Sequence, residues 1–62
     1  MNWELFKELK QRRITQSEFA KMVGDHPSVV SRVVTGVWNL DPVRKEVYAR
    51  TLGKKPEELF TQ

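Results

Sequence analysis

A chain of 62 residues is enough for one domain with a thin core and too short to wall off a deep ligand cavity. With no cysteine there is no disulfide and no thiolate metal site, which fits a reducing cytoplasm, and the single histidine makes no metal site alone. The net charge of +3, from 11 Lys and Arg against 8 Asp and Glu, suggests an anionic partner, nucleic acid or lipid headgroups, although many small soluble proteins are as basic without one.

No segment reads as a signal peptide, and no apolar run reaches the roughly 18 residues of a membrane helix. The expectation is a cytoplasmic protein with no membrane association. Turn and cap signals divide the chain into five short helices. Asn2 can cap the first, whose apolar positions are Leu5, Phe6 and Leu9. The basic cluster Lys10 to Arg13 suits its C-terminal end. Thr15 opens the second helix, and "TQSE" has the form of a capping box, with Glu18 reaching back. Phe19, Ala20 and Val23 form its inner stripe, and Gly24 stops it.

Pro27 stands at the start of a third helix, and Gly36 ends it. The β-branched pairs in "SVV" and "RVV" would also suit a strand. The helical stripe Val30, Val33, Val34 and Val37 argues against one. Opposite that stripe lie Ser28, Ser31, Arg32 and Thr35, small hydroxyls around one arginine. Such a face is unusual for a solubilising surface. Asp41 and Pro42 open a fourth helix with apolar positions Val43, Val47, Tyr48 and Leu52, closed by Gly53. "PEELF" forms a last turn with Glu57 and Glu58 near its positive end. The fold class is all-α, one domain over residues 1–62. Trp3, Phe6 and Phe60 read as core or rim packing, and His26 flanks or caps the third helix.

The second and third helices are joined by a very short turn, "GDH", so they must cross steeply. That crossing needs a small residue, a turn glycine and apolar residues on the second helix. Ala20, Gly24, Val30 and Val33 supply them, which is how a helix-turn-helix is built over about residues 16–35.

These residues resemble the Cro and phage-repressor type of helix-turn-helix, the XRE family. "TQSEFAKMVG" is similar to that family's TQ-x-x-L-A-x-x-L-G, and "SVVSRVVTG" to its S-x-I-S-R-x-E-N-G. "LGKKPEELF" is similar to its L-G-V-x-x-D-E-L-F tail, so Gln16 to Phe60 aligns without a gap. The chain departs from the pattern in five places. The exit from the first helix is shorter and lacks the customary glycine. Asp25 stands where a buried aliphatic is typical, and Val34 where an acid is usual. Trp38 replaces a common basic residue, and Lys45 a frequent leucine.

The resemblance implies a compact five-helix phage-repressor-like domain whose third helix lies in the major groove of double-stranded DNA. A face of short hydroxyls lets that helix approach closely, and Arg32 projects as the long donor able to pair with guanine. Its other reading is a surface residue paired with Glu18 or Asp25. Ser28 matches a family base-reading position, and Pro27 another, limited to apolar contact such as a thymine methyl. Ser31 and Thr35 are candidates for phosphate or water-mediated contact. Gln16, at the start of the second helix, matches a phosphate-binding glutamine. Asn39 matches a phosphate-contacting position or forms an Asx turn before Asp41 and Pro42. Arg12, Arg13 and Lys21 add diffuse attraction or form a solvated face.

Val37, Trp38 and Leu40 are three large apolar residues in one inter-helix segment, and one of them can fold inward. All three are the expected dimer contact, centred on Trp38, and the resemblance implies that this segment lies near the two-fold axis; the competing reading buries Trp38 in its own subunit. The function expected is a sequence-specific transcriptional regulator on a pseudo-palindromic operator. It would act as a weak homodimer reinforced by DNA, without cofactor, metal or small-molecule ligand. No enzymatic activity is expected, because Asp25, His26 and Ser28 at one helix start diverge and cannot align as a triad. Two alternatives stand: an antitoxin-like protein-interaction module, and the DNA-recognition component of a phage recombination or packaging complex.

Overall fold

The structure, a computed structural model, describes residues 1–60. Five helices follow in order: α1 Trp3–Gln11, α2 Gln16–Val23, α3 Pro27–Thr35, α4 Pro42–Thr51 and α5 Pro56–Leu59. No strand occurs among the described residues.

Each start is set by a local hydrogen bond that satisfies a helix N–H left without an internal partner. Asn2 Oδ1 accepts the Leu5 N–H at 3.1 Å. Thr15 Oγ1 accepts the Glu18 N–H, and Glu18 Oε1 accepts the Thr15 N–H, both at 3.1 Å, completing the capping box. Those bonds, the backbone one first, hold the Glu18 carboxyl below its ordinary range. Asp41 Oδ1 accepts the Arg44 N–H at 2.8 Å. At α5 the Lys55 N–H donates to Glu58 Oε1 at 2.9 Å.

The exit from α1 is less ordinary. Ile14 donates its N–H to the Leu9 carbonyl at 2.9 Å, and Arg13 to that of Lys10 at 3.1 Å. This is a Schellman ending, which needs a left-handed residue and usually takes glycine. Arg13 supplies it, at φ +55°. The glycine missing from the sequence pattern is therefore missing as a residue but kept as a conformation.

Leu5 and Leu9 of α1, Phe19, Ala20 and Val23 of α2, and Val30, Val33 and Val34 of α3 fill one side of the core. Tyr48, Ala49, Leu52 and Leu59 close it from α4 and α5. The Phe19 and Tyr48 rings meet edge to face with centroids 5.3 Å apart. The Asn2 N–H donates to the Val34 carbonyl at 2.8 Å and ties the N-terminus to the end of α3.

Three apolar assignments need correcting. Val37 does not continue the α3 stripe: Gly36 turns left-handed at φ +87°, the chain leaves the helix, and Val37 is 78 % exposed. Val43 does not face the core but is 71 % exposed. It lies five positions before Tyr48, which turns it about 140° around α4 from the buried side. Leu40, expected at the dimer contact, is 8 % exposed and folds into its own core. Of the three large apolar residues between α3 and α4, it is the one that turns inward.

Candidate nucleic-acid interface

Helices α2 and α3 form the most extensively packed pair in the molecule. Their joint is short because Gly24, at φ +80°, reverses the chain in a conformation costly for a side chain bearing a Cβ. Fully buried Ala20 and Val30 let the helices approach. The fate of Asp25 explains how a carboxylate occupies the next position. Its Oδ2 accepts the Tyr48 hydroxyl at 2.7 Å and the Arg44 guanidinium at 2.8 Å. The same Arg44 Nη2 donates to the Val23 carbonyl at 2.8 Å. Burial works against the Asp25 charge, but Tyr48 and Arg44 outweigh it and hold the carboxyl below its ordinary range. The Tyr48 hydroxyl is pushed far up, first by burial and then by its carboxylate partner. One network therefore clamps the α2–α3 turn onto α4. Sequence reading missed it, because its members lie far apart along the chain. The available signal was a core tyrosine whose hydroxyl had to find a partner.

With Val30, Val33 and Val34 buried, α3 presents the remaining side outward. His26, Pro27, Ser28, Arg32 and Thr35 are exposed, and Ser31 is half-buried. Among the described residues Arg32 has no ion pair, with neither Glu18 nor Asp25: the first is engaged in a capping box and the second with Arg44. His26 caps α3, its Nδ1 accepting the Ser28 N–H at 3.2 Å. Thr35 Oγ1 donates to the Arg32 carbonyl at 3.1 Å. Its proton is thereby used, so toward a phosphate Thr35 can act only by giving up that bond or through a water that donates to it.

Gln16 lies at the first turn of α2. Phe6, Lys10, Thr15, Gln16 and Ser17 line a shallow depression of about 310 Å³. Lys10 Nζ stands 5.4 Å from the Phe6 ring centroid, which keeps a cation beside the start of α2. Asn39 is exposed on the α3–α4 segment and shares a groove of about 460 Å³ with Val29, Trp38, Asp41 and Arg44. Trp38 is 45 % exposed, neither sealed in its own subunit nor free of it. Val37, Trp38 and Val43 thus leave large apolar side chains on the surface. Val43 is the member that sequence reading had assigned to the core.

Most of the acids are engaged internally. Glu4 pairs with Lys7 at 3.2 Å, and Glu8 with Arg12 at 3.1 Å and Lys54 at 3.3 Å. Burial opposes the Glu8 charge, but Arg12 and Lys54 hold its carboxyl below the ordinary range. Arg12 also donates to the Leu52 carbonyl at 2.6 Å. It is a structural clip between α1 and the end of α4, not a free cation. Glu46 pairs with Arg50. Among the described residues, Lys10, Arg13, Lys21, Arg32, Lys45 and Lys55 have no ion pair. No cluster of side chains able to hold a metal occurs among the described residues, and no helix there is long and apolar enough to cross a membrane.

Comparison with family models, with curated proteins and with solved structures finds no match to this chain.

Proposed function

We propose that the protein is a sequence-specific DNA-binding regulator that lays α3 in the major groove of a pseudo-palindromic site. The observation that carries this reading is the exposed side of α3: an arginine without an ion pair, set among short hydroxyls, on a helix whose other side is buried valine. Arg32 reads a base edge, with Ser28 and Pro27 beside it nearer the helix start. Gln16 and Asn39 contact the backbone, and Ser31 and Thr35 reach phosphate through water. The resemblance to the Cro and phage-repressor family supports the same placement.

The molecule spans 23 × 21 × 20 Å, enough for one major-groove face but not for two faces about 34 Å apart. A pseudo-palindrome therefore needs two copies. The exposed Val37, Trp38 and Val43 supply a small apolar contact between them, which gives a weak dimer that DNA reinforces. The same three residues favour one second reading, an antitoxin-like module that docks a protein partner. Co-purification with a stoichiometric protein partner would favour it.

Titration of duplex DNA against salt tests the main reading. The logarithm of affinity falls linearly with that of salt, with a slope of about −0.9 per phosphate neutralised. Arg32→Ala lowers affinity for an enriched site by about 1–3 kcal/mol and relaxes one base pair. A flat salt titration removes nucleic acid as the partner. An equal loss on enriched and random DNA reassigns Arg32 to a phosphate.

A further inference from the structure

Ser28 is exposed at the start of α3, yet its hydroxyl is not free to rotate. Its Oγ lies 2.8 Å from Nδ1 of His26. A second contact fixes the roles of these atoms. The backbone N–H of Ser28 meets the same Nδ1 at 3.2 Å. A backbone N–H only donates, so Nδ1 carries a lone pair and the ring proton sits on Nε2. Two lone pairs facing each other at 2.8 Å would repel, so the hydroxyl must donate to Nδ1 as well. Pro27, between them, has no N–H and offers Nδ1 no competing donor. The Ser28 proton is committed inward, and Oγ presents only lone pairs to the outside.

We propose that His26 makes Ser28 an acceptor-only reader, and so directs it to a base carrying an amino donor in the major groove, adenine or cytosine. This rests on the DNA-binding reading above. Adenine offers N6–H and cytosine N4–H there, whereas guanine offers O6 and N7 and thymine O4, all acceptors. A freely rotating serine pairs with either kind, because its hydroxyl both donates and accepts. His26 removes that freedom without touching the base; it is a positioning residue. Thr35 is committed in the same way to the Arg32 carbonyl, at 3.1 Å. Arg32, the donor on this face, is therefore flanked along the helix by two hydroxyls that only accept. Such a face asks for acceptors at one base step and donors at another, a pattern that a row of free hydroxyls would not impose.

The test is selection from a randomised double-stranded DNA library with the full chain and three variants, Ser28→Ala, His26→Ala and His26→Asp. The position read by Ser28 is the one whose preference Ser28→Ala erases. With the unaltered protein, adenine and cytosine there outnumber guanine and thymine about five- to tenfold. In His26→Ala the hydroxyl is released and that ratio falls toward one, while the Arg32-dependent position keeps its preference. In His26→Asp the ratio returns, because a carboxylate accepts both Ser28 donors and offers none. Losing the cap in His26→Ala also lowers the melting temperature, but weaker folding scales down all sites together and leaves the ratio at one position unmoved. Guanine or thymine enriched at that position overturns the inference. So does a ratio unchanged in His26→Ala, or a Ser28→Ala variant that alters no position. If the unaltered protein enriches no sequence at all, the DNA-recognition reading falls and takes this inference with it. Enrichment without the adenine and cytosine bias removes this inference alone.

Discussion

Helices α3 and α4 have similar lengths, nine and ten residues, and both carry arginine, but they dispose of it in opposite ways. On α4 the arginines are engaged within the molecule. Arg44 holds Asp25 and the Val23 carbonyl, each at 2.8 Å, and Arg50 holds Glu46 one turn back. On α3, Arg32 is exposed, without an ion pair among the described residues, and bordered by hydroxyls instead of acids. Surface charge by itself does not locate a partner, since most charged faces are solvated or self-paired. What separates the two helices is whether the arginine's demand is met internally. On α4 it is met, and the effect is to fasten the α2–α3 turn. On α3 it is left open, on the helix whose position that fastening fixes.

The largest effect should come from cutting the α4 side of this contrast. Asp25→Ala leaves the buried Tyr48 hydroxyl without its acceptor and Arg44 with only the Val23 carbonyl. The expected loss is about 1–3 kcal/mol of folding stability, read by urea denaturation. That is a large share of the roughly 3–9 kcal/mol available to a chain of this size. The bases preferred in a DNA selection should not change. The same network predicts a pH dependence. The Asp25 carboxyl is held below its ordinary range in the folded state, so its contribution is full above the unfolded value and is lost as pH falls through the lower folded one. Stability should decline from about pH 4 downward, and less steeply in Asp25→Ala. An Asp25→Ala protein that folds normally but prefers different bases would break the division of labour between the helices.

The division also marks how far the sequence could be read. Helix starts were legible because their signals are local. Asn2, Thr15 with Glu18, and Asp41 each act within three residues, and the structure shows those bonds. The exposed side of α3 was legible for the same reason, since Val30, Val33 and Val34 follow a clean helical spacing. What failed depended on where one element meets another. Val43 groups with Tyr48 in the sequence, although α4 meets the core over its last two turns, where Val47 does pack against it, and leaves its first outside. The Val37 assignment ran the α3 period past Gly36, where the chain had already turned. Leu40 and Asp25 depend on partners brought in from elsewhere in the chain, which no local pattern encodes. Among the candidate site residues, Ser28 and Thr35 were legible as exposed hydroxyls. The direction in which each proton points was not, because it is set by His26 and by the Arg32 carbonyl.

Trp38 sharpens the comparison, because it lies on the segment that joins the two helices. At 45 % exposed it covers part of the groove it shares with Val29 and Arg44 and shows the rest of its ring to solvent. Trp38→Ala should therefore cost about 1 kcal/mol or less in stability, since no core cavity opens. It should abolish cooperative binding to a two-half-site duplex while leaving affinity for a single half-site nearly intact. Sedimentation with and without duplex DNA reads the dimer directly. A variant that unfolds assigns Trp38 to packing within the subunit. A folded variant that still binds the full site cooperatively moves the dimer contact away from this surface.

The smallest effect concerns the other arginine without an ion pair, and it tests whether an unmet cation is itself the mark of the proposed DNA-binding face. Arg13 is exposed and, like Arg32, has no acid beside it among the described residues. Its place has a different origin. It sits at φ +55° because the Schellman ending of α1 needs a left-handed residue there, and an L side chain adopts that conformation at a cost of about 1 kcal/mol. Glycine would remove the strain, partly offset by the greater freedom of the unfolded chain. Arg13→Gly should therefore raise stability by about 0.5–1 kcal/mol, measured as a higher denaturation midpoint at unchanged slope. Removing one positive charge will weaken binding to all duplexes alike if Arg13 adds only diffuse attraction. The base preferences should stay as they are, in contrast to Arg32→Ala. If Arg13→Gly instead relaxes a base position, the absence of an ion pair predicts recognition at both arginines, and the hydroxyls around Arg32 are not what distinguishes its face.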